Sequence, residues 1–296
     1  MDTIRVGLLL TALTTLFVAV GAWLGGPTGM VIALVLALAM NIGMYWFSDR
    51  LVLRMTGAEP LTSAEAPKLY RMTERIAREA GIPMPRLYVV PDPQPNAFAT
   101  GRSPEHGVVA VNEGLLQMLD DREVEGVIAH EIAHIKHRDT LTMAIVASLA
   151  GAVMTLVNLA QWAAIFGSEE EDGPGLAELF VAALVAPLAA TLIQLGVSRA
   201  REFEADRMAA ELVGSPQGLI GALQKLERGA QLVPAYATPP QMAHMQIVNG
   251  LRAEGGRLTS GLSRLFMTHP PVAERVERLR ASFADRPMAS HRIAAT

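Results

Sequence analysis

Four stretches of this 296-residue chain lack any charged side chain over lengths that match a lipid bilayer, and no other feature limits the possible folds as strongly. They run from Val6 to Leu24, Met30 to Phe47, Leu141 to Phe166 and Leu179 to Val197, each 18 residues or longer. A hydrocarbon core of about 30 Å is crossed by roughly 20 helical residues, so each run is long enough to span it. A single run would read as a buried core helix or a signal peptide. Four runs, the first two separated only by Gly25 to Gly29, predict four spans that begin with a helical hairpin. Composition agrees: 51% of residues are hydrophobic but only 5% are aromatic, so the apolar excess is aliphatic. The formal charge of −4 offers no basic excess for nucleic acid, and the absence of cysteine excludes disulfides and thiolate metal sites.

The short connections set an orientation. Gly25 to Gly29 and Gly167 to Gly175 contain no Lys or Arg, and the second carries Glu169, Glu170, Glu171 and Asp172. The opposite flanks hold Arg5, Arg50, Arg54, Lys136, Arg138, Arg199 and Arg201. The positive-inside rule then places both termini and both long polar segments in the cytoplasm. The expected organisation is an N-terminal transmembrane hairpin over 1–47, a cytoplasmic domain assembled from 48–140 and 198–296, and a second transmembrane hairpin over 141–197 that interrupts it. Within the polar segments, periodicity and stop signals predict helices over 66–80, 114–119, 123–137, 198–213, 216–228 and 271–283. Short β-branched runs predict strands at 86–90 and 107–111, with an edge strand at 96–100. The fold class is a mainly α membrane protein whose α+β cytoplasmic domain carries a small sheet.

One motif carries chemistry. His130-Glu131-Ile132-Ala133-His134 is H-E-x-x-H on a predicted helix. Residues four apart share a helix face, so the two imidazoles can hold one metal, while Glu131 reaches a water on it as general base. Zinc brings such a water's pKa down to about 7, which suits hydrolysis of a peptide bond. A catalytic zinc takes three protein ligands. Without cysteine the third is His, Asp or Glu, and the chain after the fourth run reads Ser198-Arg-Ala-Arg-Glu202-Phe-Glu204-Ala-Asp206. Glu202 and Asp206 share a helix face, Glu202 as candidate ligand and Asp206 as candidate support for a ligand histidine. By charge pattern alone this cluster reads as a solvated helix flank. Membrane geometry favours a site: His134 lies about 9 Å along a helix from Thr140, where the uncharged stretch begins, and Glu202 about 7.5 Å from the end of the fourth run, so both fall at one depth beneath the surface. His137 points about 60° off the ligand face by helical angle and reads as solvent-facing.

These residues make the chain similar to a known family. The stretches NAFATG (96–101), EVEGVIAHEIAHIKHRDT (123–140), SRAREFEAD (198–206) and THPPVAERVERL (268–279) resemble the HtpX-type membrane zinc metalloproteases, relatives of the CAAX prenyl endopeptidases. The resemblance spans nearly the whole chain. It implies a zincin-like cytoplasmic domain with one zinc bound by His130, His134 and Glu202, and Glu131 as general base. It further implies that Asn96 and His269 support substrate or transition state in the cleft, where the residues themselves read as a turn and a cap. The implied activity is ATP-independent endoproteolysis of misfolded membrane proteins at the bacterial inner membrane, linked to stress, with no nucleotide or nucleic-acid partner.

Two other readings compete. In an intramembrane-cleaving protease the H-E-x-x-H lies inside a span, but here Arg122, Glu123, Glu125, Lys136 and Arg138 flank it. A catalytically silent scaffold or chaperone would be free to lose Glu131, which is intact.

Overall fold

The computed structural model describes residues 2–145, 199–232, 247 and 270–284. The chain opens with α1, Asp2–Met55, which is two helical arms rather than one rod. Gly25 and Gly26 leave helical geometry, with Gly26 at a φ of 57°, and Pro27 follows inside the second arm. A left-handed residue before a proline reverses the chain at little cost when it is glycine. The arms then lie against each other: Asn41 Nδ2 donates to Thr14 Oγ1 at 2.8 Å, and Gly21 meets Gly29 and Ala33 in close contact. The two arms carry the first two apolar runs. Among the described residues, one helix stretch, 25–43, is long and apolar enough to cross a membrane. Its faces differ. Ala33 and Ala37 are buried, whereas Ile32, Val35, Leu36, Ile42, Trp46 and Phe47 are exposed.

Past the apolar run, α1 continues to Met55 and enters the polar domain. Ser48, Asp49, Val52 and Leu53 are buried, and Val52 and Leu53 pack with Val90, Phe98, Val108, Ala110 and Ala144. One face of the sheet therefore rests on the end of the N-terminal hairpin and on the start of the third apolar run. The sheet has four strands in the order β1 (Glu59–Pro60), β2 (Arg86–Val90), β4 (Val108–Asn112), β3 (Ala97–Thr100). β2 and β4 run parallel, and β1 and β3 join antiparallel at the two edges. Sequence periodicity missed β1, which has two residues, one of them a proline.

The other sheet face is covered by helices around α4, Asp121–His137. Asp120 caps α4 by accepting from the amides of Arg122 and Glu123, and Glu123 reaches back to Asp120's amide, a reciprocal capping box. α4 is buried nearly throughout from Glu123 to Ile135. Around it pack α2 (Pro67–Ala80), α5 (Arg199–Val213), α6 (Gln217–Leu232) and α7 (Val272–Phe283), with the short α3 (Glu113–Met118) following β4. The shared core runs from Leu69 and Ile76 through Val109 and Val111 to Val127, Ile128, Ile132, Leu219, Leu223 and Leu279. α4 does not continue into the third apolar run. Arg138 takes a left-handed φ of 62°, and a new helical stretch covers 139–145. The expected crossings at 141–166 and 179–197, the acidic connection between them, and His269 lie outside the described residues, save 141–145.

α4 packs closely on α6. A Cβ at Gly126 would sit 2.5 Å from the Leu219 amide nitrogen and 2.8 Å from its Cα. Backbone cannot step aside as a flexible side chain can. Gly126→Ala is expected to cost about 1–3 kcal/mol, as overpacking does, although alanine is the better helix former. A thermal melt that shows the variant as stable as wild type would contradict this packing.

Candidate metal centre

α4 brings His130 and His134 one turn apart on a single face. Their Nε2 atoms approach to 3.2 Å with the rings edge to face. α5 lays Glu202 against both: Oε2 is 3.7 Å from His130 Nε2, and Oε1 is 3.5 Å from His134 Nε2. One ligand atom from each of the three residues lies within 4.8 Å of the others, and all three side chains are buried. The three that the sequence suggested as ligands are thus brought to one point.

Each imidazole has a carboxylate on its far nitrogen and an arginine behind the carboxylate. His130 Nδ1 is 3.1 Å from Asp206 Oδ1, and Arg275 grips Asp206 with Nε at 2.8 Å and Nη2 at 2.6 Å. His134 Nδ1 is 3.1 Å from Asp139 Oδ2, and Arg201 Nε is 3.4 Å from Asp139 Oδ1. The free corner of Arg275, Nη1, donates to the Ile247 carbonyl at 2.8 Å and stands 4.0 Å from Glu202. Asn96 is buried at the head of β3, where its side-chain oxygen accepts the Ile247 amide at 3.1 Å.

Electrostatics follow burial. Burial pushes Glu131 up to about 8, against the pull of His134's charge. Burial alone would pull His134 down, but Asp139's hydrogen bond and the charges of Glu202 and Glu131 outweigh it and push it up to about 9. Burial does lower His130, with only partial compensation from Asp206. For Asp206 burial is overridden by the Arg275 guanidinium, which holds the carboxyl down at about 2. The donor set fits a divalent metal. Two imidazoles and one carboxylate are the donors of a hydrolytic zinc.

Comparison with known proteins gives the family. Residues 63–282 match the family model described as peptidase family M48. The chain belongs to that family. It is 49% identical over 282 residues to a protease HtpX homolog of Syntrophobacter fumaroxidans, covering 94% of this chain and 98% of that one. It is 50% identical over 279 residues to a protease HtpX homolog of Pyrococcus furiosus, covering 94% of each. Among solved structures, Ste24p of S. mikatae superposes with a TM-score of 0.49 at 20% identity, covering 94% of this chain and 65% of that one. Family M48 membership and the His–His–Glu group together support a metalloprotease.

Sequence reasoning missed Asp139, Arg201 and Arg275. Arg275 left a signal: it falls on the apolar stripe of α7 with Val272, Val276 and Leu279, and a buried arginine demands a buried carboxylate. Asp139 left none. On a continuous helix, residue 139 would point about 140° from residue 134, and only the turn at Arg138 returns it. His137 is half-buried at the end of α4 and is not among the three residues whose ligand atoms converge.

The raised groups predict a pH response of the metal-free protein. An unfolded histidine titrates near 6.5, so the stability from His134's proton is fully present below that value and lost as pH rises through about 9. Glu131, raised from 4.5 to about 8, acts in the same direction. Chelator-treated protein is expected to melt at progressively lower temperature from about pH 6.5 to 9. A melting temperature that is flat or rises across this window would contradict the arrangement.

Proposed function

We propose that this chain is a zinc-dependent endopeptidase held in the bacterial inner membrane by four spans, with its catalytic domain and both termini in the cytoplasm. The observation that carries the reading is the buried convergence of His130, His134 and Glu202, with Glu131 beside them. His130, His134 and Glu202 hold one zinc. When bound, the metal supplies a Lewis acid that polarises a carbonyl and acidifies water. Glu131 is the general base. Its carboxylate accepts the amide of Ala99 on β3, and a value pushed up to about 8 suits taking and returning a proton near neutral pH. Asp206 orients His130, and Asn96 and His269 line the substrate cleft, as the HtpX-type resemblance implies.

Polypeptide recognition is supported by the position of β3. It pairs along one side with β4, in a register where Asn112's amide bonds to Asn96's carbonyl. Alternation along an antiparallel pair then turns the main-chain groups of Ala97 and Ala99 toward the opposite side, where Glu131 lies. An edge strand next to a hydrolytic site can receive an extended peptide. Membrane-protein substrates and a role in quality control under stress, without nucleotide, follow the same resemblance. Membrane placement is supported by the exposed apolar face of α1 and by the direct packing of its end on the sheet. A silent scaffold is not favoured, since Glu131 is kept, buried, beside the three candidate ligands.

Detergent-purified wild type is expected to carry about one zinc and to degrade unfolded casein. Glu131→Gln should keep the metal and lose at least about a hundredfold in rate, as expected of a general base. Glu202→Ala should lose metal. Cleavage by Glu131→Gln at the wild-type rate would overturn the assignment.

A further inference from the structure

We propose that Asp139 and Arg201 are positioning residues that fix the metal-facing nitrogen of His134 from the point where the chain enters and leaves the 146–198 segment. The proposal rests on the zinc reading above. Asp139 is 1% exposed, and its two oxygens divide between His134 Nδ1 and Arg201 Nε. A carboxylate at Nδ1 selects the tautomer with its proton there and leaves the Nε2 lone pair for a metal. The arginine in turn holds the carboxylate's other oxygen and keeps it aimed.

The local backbone is shaped for this contact. Arg138 is the single non-glycine residue with positive φ among the described residues, and its amide caps α4 by donating to the His134 and Ile135 carbonyls. That left-handed turn converts a residue that would face away into one beneath His134. The next residue anchors the turn: Thr140 Oγ1 donates to the Gly101 carbonyl at 2.8 Å, tying the new helical stretch to the end of β3. Ala144, one turn further, packs with Val52, Leu53 and Phe98. Asp139 therefore sits on a stretch fastened both to the edge strand and to the N-terminal hairpin.

The second half of the clamp comes from α5. Arg201 precedes the ligand Glu202 directly, so the start of α5 supplies one ligand and steadies another. The two histidines are supported from different places. His130 depends on Asp206, one turn along α5 from Glu202, and on Arg275 of α7, both within the polar domain. His134 depends on two residues that border the third and fourth apolar runs.

The test uses full-length protein in detergent, with zinc affinity read by chelator competition and ligand geometry by the visible spectrum of the cobalt-substituted form. Asp139→Asn is expected to weaken zinc binding about 10–100-fold and to shift the cobalt bands. Arg201→Gln is expected to weaken it several-fold, with Arg201→Lys restoring most of the loss. Arg138→Gly, which keeps the turn without the strained side chain, should match wild type. Circular dichroism checks that each variant folds, and Arg201→Gln carries the test if Asp139→Asn does not fold. Wild-type affinity and an unaltered cobalt spectrum in folded Asp139→Asn or in Arg201→Gln would overturn the proposal, as would a loss in Arg201→Gln that Lys does not restore. If wild type itself binds no zinc, the underlying zinc reading fails instead.

Discussion

Burying charge in a protein core costs several kcal/mol per ion unless opposite charges and hydrogen bonds meet it, and the helices around α4 are arranged to meet that cost. His130, Glu131, His134, Asp139, Glu202, Asp206 and Arg275 are each at most 4% exposed. They are compensated pairwise: Arg275 on Asp206, Asp206 on His130, Asp139 on His134. Glu202 lies beside both imidazole Nε2 atoms, where it can serve as a third ligand. The rest of the structure serves this point. α4 is the central helix and carries two of the proposed ligands and the proposed base, α5 crosses it to bring Glu202 and Asp206, and α7 docks through Arg275.

The same network explains why the polar domain is built from chain on both sides of the 146–198 segment. Neither half is a complete site. The first half brings α4 and the edge strand, and the second brings α5 and α7. The N-terminal hairpin adds a floor: the end of α1 packs under the sheet, so an apolar helix and the sheet beside the metal-binding helix share one core. A catalytic domain fixed in this way has its edge strand at a set distance from the exposed apolar face of α1.

Much of this was legible in the sequence because helical geometry is regular. Spacing of four put His130 and His134 together, and the same spacing put Glu202 and Asp206 together. The Gly-Gly-Pro sequence marked the break between the two arms of α1. The illegible parts all depend on departures from regularity or on long-range partners. β1 is too short for periodicity. The end of α1 carries Ser48 and Asp49, which look solvent-facing until the sheet buries them. Arg138 takes a left-handed turn with no glycine to signal it, and Asp139's partnership follows from that turn. Arg275 was visible as a charge on an apolar stripe, but its partner lies 69 residues away.

The central claim is that two histidines of one helix and a glutamate from another jointly hold one zinc. X-ray absorption at the zinc edge of the purified protein tests it most directly. The account predicts two imidazole nitrogens at about 2.0–2.1 Å and oxygen donors at about 2.0–2.2 Å, with one oxygen shell component lost in Glu202→Ala. A zinc environment with one imidazole or none, or one unchanged by Glu202→Ala, would contradict it.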